Sequence, residues 1–138
     1  MSRYSKAPSN YQKMNIDRTL IDTLKEILAE GEKCVFSDQE EFEKVRLIGD
    51  NEASQLRIHI SNGSVPRFVI SVVCLGNQRQ GTMTKIFKAV SQFCRSNGIQ
   101  IIEIQSAITE GMKQWCRENS FSFNNDGCWL YNLNQTAT

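Results

Sequence analysis

Acidic residues are absent from a long stretch in the middle of this chain. Between Ala53 and Ile102 there is no Asp or Glu, whereas the same stretch holds six Lys and Arg residues. Because the whole chain of 138 residues has a net charge of only +1, this stretch contributes +6 and the remainder −5. A basic centre in a nearly neutral chain favours a local anionic ligand over a polyanion coat, so we expect no nucleic-acid partner.

Other scarcities exclude further classes of protein. The chain has one histidine and five widely spaced cysteines without a C-x-x-C pair, which argues against a zinc site and against a disulfide framework. It has no apolar run of about 18 residues, so we expect no membrane span. The polar first residues lack a secretion-signal pattern, so we expect a cytoplasmic protein.

The length suits one domain with one core. We expect residues 1–14 to form a disordered lead-in and residues 15–138 to form a single domain. Cys74 and Cys94 lie within apolar patterns, so we expect both to be small core side chains.

The first part of the folded region is predicted to be mainly helical. Apolar spacing predicts a helix over residues 16–30, ended by Gly31. A short strand is expected over residues 33–36. Ser37 and Glu40 resemble a capping box, which predicts a short helix with Phe42 and Val45 facing inward.

The remainder alternates strands with helices. Strands are predicted over residues 56–60 and 67–75, joined by a hairpin turn at Asn62-Gly63, and a further strand over 99–105. One apolar stripe predicts a helix over residues 82–97, ended by Gly98. A helix between two strands predicts a right-handed crossover, and therefore a parallel pair.

The end of the chain is predicted to hold a shorter helix, over residues 109–119, and a closing hairpin. The hairpin strands are residues 121–123 and 128–131, with the turn at 125–127. The apolar residues Trp129 and Tyr131 are candidates to pair across a homodimer. The predicted fold class is α/β, with a mixed, mostly antiparallel sheet that contains a central parallel pair and is flanked by helices.

The segment 76–84 is a glycine-bearing turn that opens the helix at Thr82. Such a turn gathers backbone N–H groups and the positive helix end around one point, where a phosphate binds. Gly81 allows a close approach of the backbone and a positive φ. The alternative is an ordinary connection between a strand and a helix.

At these residues the chain resembles the GNAT acyltransferase superfamily. The family signature, Q/R-x-x-G-x-G/A between a strand and a helix, is similar to Gln78-Arg79-Gln80-Gly81-Thr82-Met83. The similarity extends from Arg67 to Phe121, where residues 114–121 resemble a family helix that ends in L-Y-x-x-x-G-F. The chain departs from the pattern at several places: Met83 replaces the second small residue, Arg79 a common glycine, Cys116 the usual tyrosine, Thr109 the usual asparagine and Ser120 the usual glycine.

The resemblance implies a GNAT-like fold and transfer of an acyl group from coenzyme A, here acetyl-CoA or another acyl-CoA, to an amine of unknown identity. The cofactor would bind through main-chain N–H groups of the turn, and the Val73 N–H would polarise the acyl carbonyl. No metal is implied. The implied cofactor-binding residues are Val73, Gln78, Arg79, Gln80, Gly81, Thr82, Met83, Thr84 and Thr109.

The resemblance also implies an acid and a base. The family commonly places a glutamate on the strand before the turn, but that strand has no acid here, so Glu103 and His59 are the candidate bases. Cys116 is the candidate acid that protonates the departing thiolate. Each has a structural alternative: Glu103 in an ion pair, His59 in packing and Cys116 as a packed thiol.

Two other functions remain open at this point. A GNAT-like module that binds without catalysis would explain the missing glutamate and tyrosine. Nucleic-acid binding by the basic centre is less favoured, because six basic residues on a strand, a turn and a helix need not share a face.

Overall fold

The computed structural model describes residues 15–76, 81–107, 109–124 and 126–134. Three helices and seven strands occupy these ranges. The helices are α1 (Arg18–Glu32), α2 (Thr82–Asn97) and α3 (Glu110–Glu118). The strands are β1 (Phe36–Glu41), β2 (Lys44–Gly49), β3 (Gln55–Ser61), β4 (Arg67–Cys74), β5 (Ile101–Ile104), β6 (Ser122–Phe123) and β7 (Trp129–Asn132).

All seven strands join one sheet in the order β1-β2-β3-β4-β5-β7-β6. The pair β4–β5 is parallel and the other five pairs are antiparallel. Helix α2 makes the crossover between the two parallel strands, as the order strand, helix, strand predicts. The predicted fold class is therefore confirmed.

The core lies between the helices and one face of the sheet. Alternate strand residues such as Leu47, Leu56, Ile58 and Ile70 are almost fully buried there, while the residues between them face the other side of the sheet. Helix α2 adds an apolar stripe that includes Ile86, Val90 and Cys94. Burial of this kind stabilises the fold by roughly 1.5–3 kcal/mol for each large apolar side chain.

Helix α2 spans the predicted residues 82–97, and Gly98 ends it at φ 73°. The predicted end of α1 is wrong. The helix continues through Gly31 to Glu32, and Lys33 takes the left-handed cap at φ 58°. Gly31 is a packing residue rather than a stop, because a Cβ built there would lie 2.0 Å from Thr82 Oγ1 of α2.

The predicted short helix after Ser37 is also wrong, and so is the strand over 33–36. Residues 36–49 form the β1–β2 hairpin, whose two turn residues, Phe42 and Glu43, have φ of 51° and 69°. Phe42 points into solvent and is 88% exposed, whereas Val45 is buried, as expected. Pairing with β3 buries Val45 and Leu47 together, which a short exposed helix cannot do.

At the edge of the sheet, β1 is fixed to α1 by charge. Asp38 binds Arg18 Nη2 at 3.0 Å and Lys25 Nζ at 2.8 Å. Hydrogen bonds from Arg18 and then from Lys25 lower the pKa of Asp38 to about 2. Glu40 of the predicted capping box also lies 3.2 Å from Arg18 Nη2, so Asp38 and Glu40 hold the edge strand against the helix.

The closing hairpin is confirmed in the pairing of β6 with β7, although Asn125 of its turn lies outside the described residues. Trp129 and Tyr131 are each 6% exposed, because both rings pack into the core of their own chain. They are therefore not available for the predicted homodimer contact. The predicted disordered lead-in, residues 1–14, also lies outside the described residues, so the predicted domain boundary stays a prediction.

None of the helices in the described ranges is long and apolar enough to cross a membrane. Within the same ranges, no group of three or more His, Cys, Asp or Glu residues is placed to hold a metal ion.

Candidate functional site

The two parallel strands pair over only half of β4. The register matches Arg67–Ile70 of β4 with Ile101–Ile104 of β5. After Ile70, a bulge interrupts the pairing of β4 with β3, and the register skips Ser71. Bulges bend the strand that carries them. Strand β4 therefore runs on to Cys74 while the chain after β5 turns away.

Hydrogen bonds hold this point of divergence. Gln105 N donates to Ile70 O at 3.0 Å, and Ser106 Oγ donates to Ser71 O at 2.6 Å. Ser71 Oγ in turn donates to Arg57 O of β3 at 3.4 Å. Two successive carbonyls of β4 thus accept bonds from the segment that follows β5, which fixes where the strands separate.

Beyond the divergence lies a cavity of about 760 Å³. Residues at the end of β4, residues at the start and along α3, and Met83 of α2 all contribute to its lining. Its lining is mainly apolar and includes Val73, Leu75, Met83, Thr109, Met112 and Trp115. A cleft of this size between two diverging strands can hold a small ligand or the arm of a larger one.

Helix α2 begins beside this cavity. Its N-cap, Gly81, has φ 70° and ψ 14°, so the predicted positive φ is confirmed. A Cβ built on Gly81 would meet nothing within 4 Å, so backbone conformation rather than protein packing requires glycine there. The start of a helix carries the positive end of the helix dipole, which favours an anion. Gln78, Arg79 and Gln80, predicted to bind the same anion, lie outside the described residues.

The first three side chains of α2 contact other parts of the protein. Thr82 is 2% exposed and packs against Gly31, and its Oγ1 is buried without a hydrogen-bond partner. Met83 is 7% exposed, belongs to the core and also lines the cavity. Thr84 Oγ1 accepts a bond from Trp115 Nε1 at 3.1 Å, which joins α2 to α3.

Thr109 is the N-cap of α3. Its Oγ1 accepts a bond from Met112 N at 3.1 Å, and the residue lines the cavity. Its hydroxyl therefore stabilises the helix start, while the residue lies at the cavity wall.

Cys116, the candidate acid, lies on the buried side of α3. It is 0% exposed and is not among the residues that line the cavity. Burial raises the pKa of its thiol to about 12. The thiol thus stays protonated at neutral pH, within the core behind the cavity wall.

The two candidate bases lie on the sheet face opposite the helices. His59 and Glu103 are both register partners of Val69, from β3 and β5 respectively. Val69 is four residues before Val73, which corresponds to roughly 13 Å along an extended strand. The structure brings His59 and Glu103 near each other, but neither lines the cavity.

Glu103 is held by two donors. Arg67 Nη1 lies 2.7 Å and Gln105 Nε2 2.8 Å from its carboxylate oxygens. Burial raises the pKa of Glu103, but the bonds from Gln105 and Arg67 outweigh it, and the pKa lies below its usual value. The pKa of His59 is also lowered, first by burial and then by the charge of Lys44.

The basic residues of the acid-free stretch lie on two sides of the molecule. Arg57 and Arg67 lie on strands and face away from the helices, whereas Lys85 is on α2 and forms an ion pair with Glu30 of α1 at 3.2 Å. The described positive charge does not form one continuous surface. This arrangement agrees with a local anion site better than with a long polyanion contact.

Sequence reasoning missed several residues of this site. Ser71 and Ser106 fix the divergence of the strands, and Glu32 binds the backbone after β4. The prediction for Cys74 is wrong, because this residue is exposed and lines the cavity; Cys94 is buried, as expected.

Comparisons with known proteins are consistent with this architecture. No family model and no curated protein matches the chain. Among solved structures, AtaTR bound with acetyl-CoA is similar with a TM-score of 0.47 at 14% identity, over 67% of this chain and 68% of that one. An N-acetyltransferase from Staphylococcus aureus Mu50 is similar with a TM-score of 0.49 at 9% identity, over 87% and 96%.

A protein from Desulfovibrio desulfuricans assigned to the GNAT family of acetyltransferases is similar with a TM-score of 0.48 at 11% identity, over 65% and 68%. Its family is the one that the segment 78–83 resembles. Because each TM-score is below 0.5, the fold class of this chain is defined by its own strand order and by the crossover through α2.

Proposed function

We propose that this protein transfers an acyl group from acyl-coenzyme A to an amine, by direct attack within a ternary complex. The observation that carries the proposal is the divergence of the parallel strands β4 and β5 after Ile70, beside a cavity that ends at the N-terminus of α2. The sequence resemblance to GNAT enzymes supports the same chemistry.

The anionic end of the co-substrate is assigned to the start of α2. The left-handed Gly81 and the buried side chains of Thr82 and Met83 leave the main chain as the binding element there. A diphosphate at this point would benefit from the helix dipole and from the main-chain N–H groups of the first turn. Gln78, Arg79, Gln80 and Thr84 complete the proposed set, through their main-chain groups.

The acyl end is assigned to the cavity between β4 and α3. Val73 lies at the cavity wall, and its N–H would polarise the thioester carbonyl. One such donor is worth about 3 kcal/mol of barrier. The amine nitrogen then bonds to the carbonyl carbon, the carbon–sulfur bond breaks, and the amine loses a proton while the thiolate gains one.

The proton carriers proposed from the sequence are Cys116, Glu103 and His59. None of the three lines the cavity, so each would have to act at a distance from it. The kinetic test is a pair of conservative variants, Cys116→Ser and Glu103→Gln. A fall in kcat of about 100-fold would support a role in proton transfer, whereas unchanged kcat would remove that residue from the mechanism.

The binding test uses two substitutions at Gly81. Asn tolerates the left-handed conformation and is nearly isosteric with Asp, so Gly81→Asn and Gly81→Asp differ mainly by one negative charge. We expect the Asp variant to lose coenzyme A binding in calorimetry, and the Asn variant to retain much more of it. Equal affinity in both variants would remove the anion from this helix end.

The alternative function is a module that binds acyl-coenzyme A without turning it over. The burial of Cys116 and the ion pair of Glu103 favour this alternative, because both groups already have structural roles. Binding of acetyl-CoA without turnover on a panel of amines would select the module. Native mass spectrometry of the purified protein for bound coenzyme A tests the ligand that both functions share.

A further inference from the structure

The last turn of α1 contacts the chain on both sides of the segment 77–81. Glu32 Oε1 accepts a hydrogen bond from Gly76 N at 2.7 Å, just after β4. The neighbouring residue, Gly31, packs directly on Thr82, the first residue of α2. The end of one helix therefore holds the residues at which the proposed diphosphate turn leaves β4 and enters α2.

Glu32 is an unusual residue for this position. It is only 8% exposed, although carboxylates are rarely buried unless they are paired. Its Oε1 also accepts a hydrogen bond from Ser54 Oγ, and Ser54 Oγ accepts one from Asn51 Nδ2 at 3.1 Å. The carboxylate thus joins α1, the β2–β3 turn and the backbone after β4.

The hydrogen bond from Gly76 N to Glu32 also removes one main-chain N–H from the donors that a ligand could use. A buried carboxylate already occupies the Gly76 N–H, so this amide is not a donor to the diphosphate. A carboxylate close to a bound anion is electrostatically unfavourable, so an electrostatic contribution to binding does not explain its presence. A positional role explains both its burial and its partners.

We propose that Glu32 is a positioning residue for the acyl-coenzyme A site, and that it acts by fixing the backbone at Gly76 relative to Thr82. This inference rests on the proposed function. It assigns the effect to the hydrogen bonds that Glu32 Oε1 accepts rather than to its charge. The amide oxygen of a glutamine can accept the same two bonds, so charge and geometry can be separated.

The experiment compares Glu32→Gln, Glu32→Asp and Glu32→Ala, with Glu26→Ala as a control on the exposed side of the same helix. Two properties are measured: the affinity for coenzyme A by calorimetry and the exchange rate of the Gly76 amide hydrogen in the free protein by NMR. We expect Glu32→Gln to bind within about threefold of the original protein, and Glu32→Ala to bind about tenfold more weakly or worse. The Gly76 amide is expected to exchange about tenfold faster in Glu32→Ala and to remain protected in Glu32→Gln.

Glu32→Asp keeps the charge but shortens the side chain, so we expect it to weaken binding by about three- to tenfold. It replaces Glu32→Ala in the comparison if the alanine variant does not fold. Binding by Glu32→Ala at the original affinity, or by Glu32→Asp where that variant stands in, overturns the positioning role. Equal losses in Glu32→Gln and Glu32→Ala overturn it as well, because charge would then be the cause. If the original protein does not bind coenzyme A, the proposed function fails, and this inference fails with it.

Discussion

Arg67 and Glu103 form an ion pair between the two parallel strands, with Nη1 2.7 Å from Oε1. The Glu103 side chain is 9% exposed and that of Arg67 is 39% exposed, so the carboxylate depends on its partners more than the guanidinium does. Replacing Arg67 with Met leaves a buried carboxylate with one donor fewer. We expect the free energy of unfolding to fall by about 1–2 kcal/mol, measured by urea denaturation.

The double variant Arg67→Met/Glu103→Gln should recover part of that loss, because it leaves no unpaired charge. A single-variant loss below about 0.5 kcal/mol would show that the pair is effectively solvated.

The same pair predicts a pH dependence of stability. The pKa of Glu103 is lower in the folded protein than in the unfolded chain. Its contribution is therefore complete above an unfolded pKa of about 4.3 and is lost as the pH falls through the folded value. Below about pH 4.3, we expect the stability of the original protein to fall more steeply than that of Glu103→Gln. Parallel curves in urea denaturation would contradict the assignment.

The lowered pKa of His59 predicts a second pH dependence of stability, in a higher pH range. Burial and then the charge of Lys44 lower its pKa, and its Nδ1 is buried without a hydrogen-bond partner. Its neutral form is favoured in the fold, so stability is complete above the unfolded pKa of about 6.5 and declines as the pH falls through the folded value. The variant His59→Gln should remove this decline, which urea midpoints between pH 7.5 and about 5 measure. A histidine pKa by NMR at or above 6.5 in the folded protein would refute the prediction.

Substitutions in the β1–β2 turn are expected to stabilise the fold. Phe42 and Glu43 both have positive φ, a conformation in which Asn-Gly is strongly preferred for a two-residue hairpin. We expect the double substitution Phe42→Asn/Glu43→Gly to raise the free energy of unfolding by about 1 kcal/mol. Phe42→Ala is the control, because it removes the exposed ring and keeps the unfavourable backbone. Equal effects in both variants would assign the change to the ring.

The cysteines should separate by reactivity. Cys74 is exposed at the cavity, whereas Cys94 and Cys116 are 0% exposed and burial raises the pKa of both thiols to about 12. With iodoacetamide, we expect Cys74 to be modified at least about tenfold faster than either buried thiol in the native protein. Acetyl-CoA should slow the modification of Cys74, with Cys74→Ser as the control for the assigned peptide. Labelling of Cys74 that is indifferent to acetyl-CoA would place the ligand outside this cavity.

Trp115 gives an optical measure of binding. It lines the cavity and its Nε1 donates to Thr84, whereas Trp129 is buried in the core near β6. We expect acetyl-CoA to change the intrinsic fluorescence of the original protein and of Trp129→Phe, but not that of Trp115→Phe. A change that persists without Trp115 would show that the signal has another source.

The sequence predicted the middle of the fold well. The apolar stripe of residues 82–97 and the flanking strands are local patterns, and the two glycines at the ends of α2 are required by backbone conformation at those very positions. The beginning of the domain was predicted less well. Gly31 does not end α1. Its missing side chain instead makes room for Thr82, which lies 51 residues further along the chain.

The candidate site was predicted only in part. The segment around Gly81 follows from a local motif, whereas the wall residues Val73 and Thr109 were implied by the resemblance to GNAT enzymes. The bulge at Ser71 does not, because it arises from the pairing of β4 with β3 and β5 together. The burial of Cys116 and the pairing of Glu103 with Arg67 likewise depend on which face of each element meets the core.

By itself, then, the sequence determined which segments are strands and helices through the central part of the chain, and it predicts an anion at the start of α2. These follow from periodicity, glycine conformation and charge, which act over a few residues. Only the tertiary structure decided where β4 and β5 separate, which thiol faces the cavity, and that Glu32 reaches Gly76 across 44 positions. Such relationships join residues that are distant in the chain, and they exist only once the sheet and the helices have packed.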